Sequence, residues 1–319
     1  MLSSFSEMTY TSDSNKSLDL AEQRWDRLSV RYPDLLPAIE MQRRVIKRSV
    51  KLGLFIDQKL PVTFDLDSTA IAAKLERKIP VLIDETIEVD SANIEPFVLG
   101  FCEDLASGEA GGSAVRLGTI LEQGQIHIGS LLAASLGRKQ EAIRTKAHHL
   151  GIAPDLLWLV AELAAGPVAN RLQHKLLTEL HQKHEIRPLP LWDGSQGFCA
   201  ACGSWPTFRE RILNEREEQL LRCSFCGAAW TNIDTECIYC DTSDASPIKA
   251  ASDPEQSSEH LELCQHCGGY LKCIAVHNPT PFELLPIEDL GTSQLDLGAV
   301  EQGYSRPPMR EFAPMPDTI

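Results

Sequence analysis

Apolar residues in the first 187 positions recur with the 3.6-residue period of helices, and strand-like alternation is nearly absent there. We therefore expect an all-helical N-terminal half. The predicted helices run from an N-cap at Ser17 to just before Pro33, and then over 37–52, 68–77, 93–107, 114–136 with glycine interruptions, and 140–150.

Two of these segments carry clear end signals. In the second helix, apolar residues lie on one side of a surface otherwise rich in Arg and Lys, and Gly53 is a candidate C-cap. Pro154 fits the first position of a helix that reaches Leu163. Gly166 and Pro167 either break this helix or open the next, which we expect over 168–184.

The pattern changes after Pro188 and Pro190, which end the helical half. From Phe198 onward, short β-type runs alternate with Cys-x-x-Cys turns, and the acidic insertion 241–262 is expected to be a solvated, partly disordered loop. The predicted fold class is α with a small β content: an all-helical N-terminal domain, then two tandem rubredoxin-like or zinc-ribbon-like four-cysteine metal modules. The predicted domains are 1–187, 188–235 and 236–319, the last with the acidic insertion, a C-terminal helix and an extended tail.

Nine of the ten cysteines lie between Cys199 and Cys273, and eight of them form Cys-x-x-Cys pairs. Twenty residues separate the first pair from the second, and 23 separate the third from the fourth. This spacing predicts two tetrahedral four-thiolate metal sites, because each turn aims two sulfurs at one ion and the intervening hairpin brings the second turn opposite the first. The predicted ligands are Cys199, Cys202, Cys223 and Cys226 in one set, and Cys237, Cys240, Cys264 and Cys267 in the other.

Each second cysteine is followed by a residue that tolerates positive φ, namely Gly203, Gly227, Asp241 and Gly268. Consecutive pairing of the turns is favoured over interleaved pairing because each hairpin then closes locally. Two metal ions are expected, iron or zinc, since both accept four thiolates. Redox dithiols and structural disulfides are less favoured, since no βαβ unit surrounds the pairs and no secretion signal is seen.

Residues near the ligands have open interpretations. Cys273 is a strand cysteine, an accessory ligand or a reactive thiol. Between the ligands, Phe225, Tyr239 and His266 are expected to be exposed, where a partner could contact them.

Charge and motifs narrow the function. The chain has 319 residues with 43% hydrophobic and 24% charged positions, as in globular proteins, and its net charge of -15 repels phosphate backbones. We therefore predict no nucleic-acid binding. We also predict no membrane insertion, since no run approaches roughly 20 apolar residues.

The start lacks a signal peptide, which predicts a cytoplasmic protein. Common nucleotide-binding, hydrolase and metalloprotease motifs are absent, which argues against an enzyme.

The cysteine half resembles the formate dehydrogenase accessory protein family, FdhE. The resemblance is carried by Trp192-Asp193-Gly194, by the first pair with Gly203-Ser-Trp-Pro206, by Leu221-Arg-Cys223-Ser-Phe-Cys226-Gly227-Ala-Ala-Trp230, by Cys264-Gln-His-Cys267-Gly268-Gly-Tyr270-Leu-Lys272 and by a closing helix from Asp289 to Tyr304.

The resemblance implies a cytoplasmic, non-enzymatic factor needed to form active formate dehydrogenase, which binds the catalytic subunit of that enzyme and holds iron in rubredoxin-like sites. Metal ligation is carried over to the eight paired cysteines alone. Self-association is a further possibility. Two alternatives stay open: a zinc-ribbon protein of nucleic-acid binding or transcription, and a rubredoxin-like electron-transfer protein.

Overall fold

The computed structural model describes residues 14–60, 68–87, 89–108, 111–184, 197–214, 218–231, 236–242, 248–250, 258–310 and 312. The chain divides into two compact units. The helical unit comprises 12–66 and 82–172, and the cysteine unit comprises 67–81 and 173–313. The terminal segments that complete this division, 1–11 and 314–319, lie outside the described residues.

Within the described residues, eight helices precede the first strand. They are α1 (Ser14–Arg31), α2 (Leu36–Lys59), α3 (Ser68–Glu76), α4 (Ser91–Ala106), α5 (Gly111–Glu122), α6 (Ile128–Leu136), α7 (Gln140–Leu150) and α8 (Pro154–His184), with a short 3₁₀ turn, Pro33–Leu35, before α2. The prediction of a helical first half is confirmed. Among the described helices, none combines the length and apolar character needed to cross a bilayer.

Helix α2 buries the predicted apolar face, with Ile39, Val45 and Val50 in the core. Its predicted end at Leu52 is wrong, because the helix continues through Gly53 to Lys59. A Cβ at Gly53 would lie 2.5 Å from Nη2 of Arg171, so glycine here makes room for a guanidinium rather than ending the helix. That guanidinium in turn binds both carboxylate oxygens of Asp57, at 3.1 and 3.0 Å.

Three other predicted segments have bounds that differ from the structure by more than two residues. The segment predicted over 114–136 with glycine interruptions forms two helices, α5 and α6, separated by a turn in which Gly124 has a φ of 68°. Gly166 and Pro167 neither break α8 nor open a new helix. Ser17, predicted as an N-cap, lies inside α1, which begins at Ser14.

Six strands among the described residues form one sheet in the cysteine unit. They are β1 (Phe208–Ile212), β2 (Gln219–Arg222), β3 (Ala229–Trp230), β4 (Ile248–Ala250), β5 (Glu259–Leu263) and β6 (Tyr270–Val276), in the order β3-β2-β1-β6-β5-β4. The prediction of a loop over 241–262 is wrong where this stretch pairs as β4 and β5. All neighbours pair antiparallel except β1 and β6, which run parallel. The expected duplication is present, since each half of the sheet has the order Cys-x-x-Cys, two strands, Cys-x-x-Cys, one strand. The parallel pair joins the two four-cysteine modules into one sheet.

The closing segment forms two short helices, α9 (Leu285–Gly291) and α10 (Ser293–Glu301). They pack against one face of the sheet through two apolar clusters, with Leu295 against Tyr270 in one and Leu285 against Phe208 in the other. Lys272 of β6, whose side chain is fully buried, reaches Asp289 at 2.7 Å and Asp296 at 2.6 Å. An ion-pair network therefore ties both helices to the central strands.

The predicted fold class is confirmed: helices come first, and a small sheet with two four-cysteine groups follows. The predicted domain boundary at 187/188 and residue 235 lie outside the described residues, so the three-domain division stays a prediction.

Candidate metal centres

Each Cys-x-x-Cys pair occupies a tight turn with the same backbone pattern. The N–H of the residue after the second cysteine donates to the C=O of the first cysteine; these donors are Gly203, Gly227, Asp241 and Gly268, at 2.7, 2.9, 3.0 and 2.9 Å. All four have positive φ, between 52° and 81°, which confirms the expectation from the sequence. The turn curls the backbone around a point to which both sulfurs can be directed.

The first group brings together Cys199, Cys202, Cys223 and Cys226, whose sulfurs all lie within 4.8 Å of one another. The sulfur of Cys199 is 3.6 Å from that of Cys226, and the sulfur of Cys202 is 3.6 Å from that of Cys223. A tetrahedral ion with bonds of about 2.3 Å would hold its sulfurs about 3.8 Å apart. The donor set and its spacing thus fit one thiophilic ion.

The second group brings together Cys237, Cys240, Cys264 and Cys267, again within 4.8 Å. The sulfurs of Cys237 and Cys267 are 3.8 Å apart, as are those of Cys240 and Cys264. This group also fits a tetrahedral ion. The structure groups the turns consecutively rather than interleaving them.

Burial dominates the thiol electrostatics of the first group. It raises the pKa of Cys199 and of Cys226 well above the ordinary value of 9.0, because a thiolate without a counterion is unfavourable in a site closed to water. In the second group burial also opposes ionisation, but the backbone N–H of Cys267 and the thiol of Cys237 lower the pKa of Cys264 to about 7.

Aromatic side chains connect the two groups. Phe198 precedes the first cysteine and packs edge-on against Trp205 with ring centroids 6.2 Å apart; Trp205 packs edge-on against Tyr239, inside the third turn, at 5.2 Å. The hydroxyl of Tyr239 also donates to the C=O of Tyr270 at 2.9 Å. The expectation that Phe225 and Tyr239 are both exposed is wrong: Phe225 is buried and Tyr239 is half-buried.

His266 meets the expectation, since it is exposed between its cysteines. Its Nδ1 lies 3.3 Å from the hydroxyl of Thr242, which in turn lies 3.3 Å from the sulfur of Cys240. The exposed edge of the second group therefore carries polar side chains.

A segment far away in the sequence braces the first turn, and sequence reasoning missed it. The N–H of Val81 donates to the C=O of Ala200 between the first two cysteines, at 2.9 Å, and the buried ammonium of Lys74 donates to the C=O of Val81 at 3.0 Å. Leu75 and Phe312 pack against the cluster of Phe198 and Ala200. Phe312 is an aromatic residue in a proline-rich tail, and this sequence feature could have indicated that the tail packs against the first turn.

Cys273 is a buried residue of β6, which agrees with the interpretation of Cys273 as a strand cysteine. It belongs to a third group of potential ligands with His260 and Glu262. However, Nε of Arg209 donates to Glu262 at 3.1 Å, so a cation already neutralises that carboxylate. The third group lacks the closed tetrahedron of thiols seen in the other two.

Comparison with known proteins links this arrangement to one family. No family model matches the chain. A protein FdhE homolog of Aquifex aeolicus is 28% identical over 111 residues, covering 34% of this chain and 39% of the relative. Protein FdhE of Escherichia coli O127:H6 is 25% identical over 157 residues, 49% of this chain and 46% of the relative. An FdhE homolog of Pectobacterium carotovorum is 32% identical over 117 residues, 36% of this chain and 37% of the relative.

These matches span less than half the length of each curated relative. Among solved structures, the crystal structure of the FdhE protein from Pseudomonas aeruginosa matches with a TM-score of 0.54 and 19% identity, covering 90% of this chain and 92% of that one. At this identity the match establishes the shared fold. The resemblance to the FdhE family is thus confirmed, by sequence over part of the chain and by fold over most of it.

Proposed function

We propose that this protein is a cytoplasmic accessory factor for the formation of active formate dehydrogenase, that it binds the catalytic subunit of that enzyme, and that it is not itself an enzyme. The observation that carries the proposal is a pair of four-cysteine groups with tetrahedral spacing on a fold shared with an FdhE crystal structure. Self-association stays a prediction.

In this proposal each four-cysteine group holds one ion, iron or zinc, through the two ligand sets predicted from the sequence. The sulfur spacings of 3.6 to 3.8 Å support this, as does the chemistry of four converging thiolates, which favour a thiophilic ion such as zinc or iron. A zinc ion in each group would fix the two turns of that group, whereas iron would add a one-electron couple. Elemental analysis of protein purified without oxygen should give two ions per chain, and visible absorption separates ferric thiolate from colourless zinc.

The accessory role is tested in the native host. Deletion of the gene should lower formate oxidation without lowering the transcript of the dehydrogenase, and the wild-type chain should restore activity. Co-purification with the catalytic subunit tests the proposed contact directly. Undiminished formate oxidation in the deletion strain would contradict the accessory role.

The arginines between the first two pairs bear on the nucleic-acid alternative. Arg222 is fully buried and donates to Glu210 at 2.5 Å, and Arg209 is paired with Glu262. These two guanidinium groups are engaged inside the protein, so they do not form a phosphate-binding surface. Tight, salt-sensitive binding of duplex DNA by the purified protein would favour the alternative.

A further inference from the structure

The two metal centres share a topology but differ in their access to solvent. All four cysteines of the first group have 0% exposure. In the second group Cys237 and Cys264 are buried, Cys240 is half-buried and Cys267 is exposed. The exposed cysteine, Cys267, belongs to the fourth turn, which is the counterpart of the second turn in the first group.

The space around the glycines that follow Cys202 and Cys267 shows which residues lie over these turns. A Cβ added at Gly203, in the first turn, would lie 2.5 Å from the ring of Phe312 and 3.0 Å from Pro80. A Cβ added at Gly268, in the fourth turn, would meet nothing within 4 Å. The first turn of the first group is therefore covered by chain segments from outside its own hairpin, whereas no described residue covers Gly268 in the last turn of the second group.

Access to solvent determines how a bound ion can leave. A ligand from solution can attack the ion only where a coordinating sulfur can move aside without unfolding its surroundings. At Cys267 one metal–sulfur bond can break while one bond to the incoming ligand forms, and the released thiolate takes a proton from solvent. At the first group the same exchange requires the covering segments to open first, which adds the free energy of that local unfolding.

We propose that the second group is the exchange site of this protein, at which a thiophilic ion enters and leaves through Cys267 and Cys240, while the first group retains its ion until the cysteine unit opens. This inference rests on the proposed function, because it requires an ion in each group. It implies that the state of the second group follows the surrounding supply of metal ions and chelating ligands, and that the first group does not.

The test is the kinetics of zinc release. Protein loaded with zinc and shown by native mass spectrometry to hold two ions is mixed with excess 4-(2-pyridylazo)resorcinol, whose zinc complex is coloured. We expect two phases of one ion each, with the first at least about tenfold faster than the second, since only the second phase awaits local opening. Release of both ions in a single phase would overturn the inference.

Matched variants assign the phases. Cys267→Ser should remove the fast phase and keep the slow one, whereas Cys226→Ser, at the equivalent buried position, should remove the slow phase and keep the fast one. The opposite assignment would overturn the inference.

Peptide mapping supplies a readout that does not depend on the variants folding. After brief treatment of the wild-type protein with N-ethylmaleimide, Cys240 and Cys267 should be modified before any cysteine of the first group, and the reverse order would contradict the inference. A chain that never takes up two ions contradicts the proposed function, and this inference with it; a chain whose two ions leave in one phase contradicts the inference alone.

Discussion

Among single residues, Gly203 and Gly268 each follow the second cysteine of a turn, with φ of 81° and 68°, but of these two only Gly203 is crowded by described residues. We expect Gly268→Ala to lower the free energy of unfolding by about 1 kcal/mol, the cost of a left-handed alanine. Gly203→Ala should cost about 1–3 kcal/mol more, because its methyl group meets Phe312 and Pro80. Denaturant unfolding of the zinc-loaded variants measures both values, and equal losses would contradict the role of Phe312 as a cover.

Cys102 gives a pH prediction in the helical unit. Burial, followed by the nearby carboxylates of Glu103 and Glu122, raises the pKa of this thiol to about 12, from an ordinary 9.0. Above the ordinary value the unfolded chain releases a proton that the folded chain keeps, so stability falls as pH rises. Below it Cys102 adds no pH dependence.

The matched variant is Cys102→Ala, which removes this titration. Between about pH 9 and pH 11 the wild-type protein should lose up to about 1.4 kcal/mol of unfolding free energy per pH unit relative to the variant. Urea unfolding followed by far-UV circular dichroism measures the difference. Identical pH dependence of the two proteins would show that the thiol ionises in the folded state as it does in the unfolded chain.

For single residues, the sequence predicted the conformation of the Cys-x-x-Cys turns but not which side chains in those turns are buried. Cysteine spacing and the residue after each pair are local, so the grouping of the sulfurs and the positive φ angles could be predicted. The burial of Phe225 and Tyr239 could not, because it depends on residues brought close only by the fold, such as Trp205 beside Tyr239.

Among the elements, β6 holds α9 and α10 through one buried side chain. Lys272 contacts Asp289 and Asp296, and Arg306 contacts the same two carboxylates from a position where its own side chain is 38% exposed. Lys272→Met should lower the unfolding free energy of this region by about 3 kcal/mol, because it removes the buried partner of two carboxylates. Arg306→Met, the matched control, should cost about 1 kcal/mol or less.

Hydrogen exchange measured by mass spectrometry over 285–301 localises the effect. Faster exchange there in the Lys272 variant, with little change in the Arg306 variant, is the expected result. Equal acceleration in both would show that the exposed arginine contributes as much as the buried lysine.

Among the described residues, helices were predictable in their place and buried face more than in their ends. The apolar face of α2 follows from periodicity, but its continuation through Gly53 depends on Arg171, more than a hundred residues later. Similarly, Gly166 and Pro167 are strong breaking signals in isolation, yet α8 continues past them among buried neighbours such as Val168 and Ala169.

Across the whole molecule, all eight paired cysteines lie in the cysteine unit, and the lone Cys102 lies in the helical unit. The described strands have two to seven residues, so we expect the sheet to depend on the ions proposed for the two four-cysteine groups. Chelation at neutral pH should abolish the sheet and expose the paired cysteines to alkylation, while Cys102 stays protected. Mass-spectrometric mapping follows both sets in one sample, and simultaneous labelling of Cys102 would show that the helical unit also depends on the ions.

Long-range organisation was the least predictable level. The two cysteine sets indicate two modules, but no local pattern indicates that β1 pairs with β6, or that 67–81 belongs with the cysteine unit. Both depend on contacts between segments that are distant in the sequence.

The way the two repeats meet has a consequence for assembly between chains. The first strand of one repeat, β1, lies beside the last strand of the other, β6, so the repeats join head to tail and leave unlike edges at β3 and β4. With unlike edges, β3 of one copy can pair with β4 of another, and repeated pairing of this kind would give an open-ended assembly. β3 has two residues, against seven in β6. So short an edge offers few backbone groups for pairing, so it protects this side of the sheet against fibre-like growth, and lengthening β3 by design would weaken that protection.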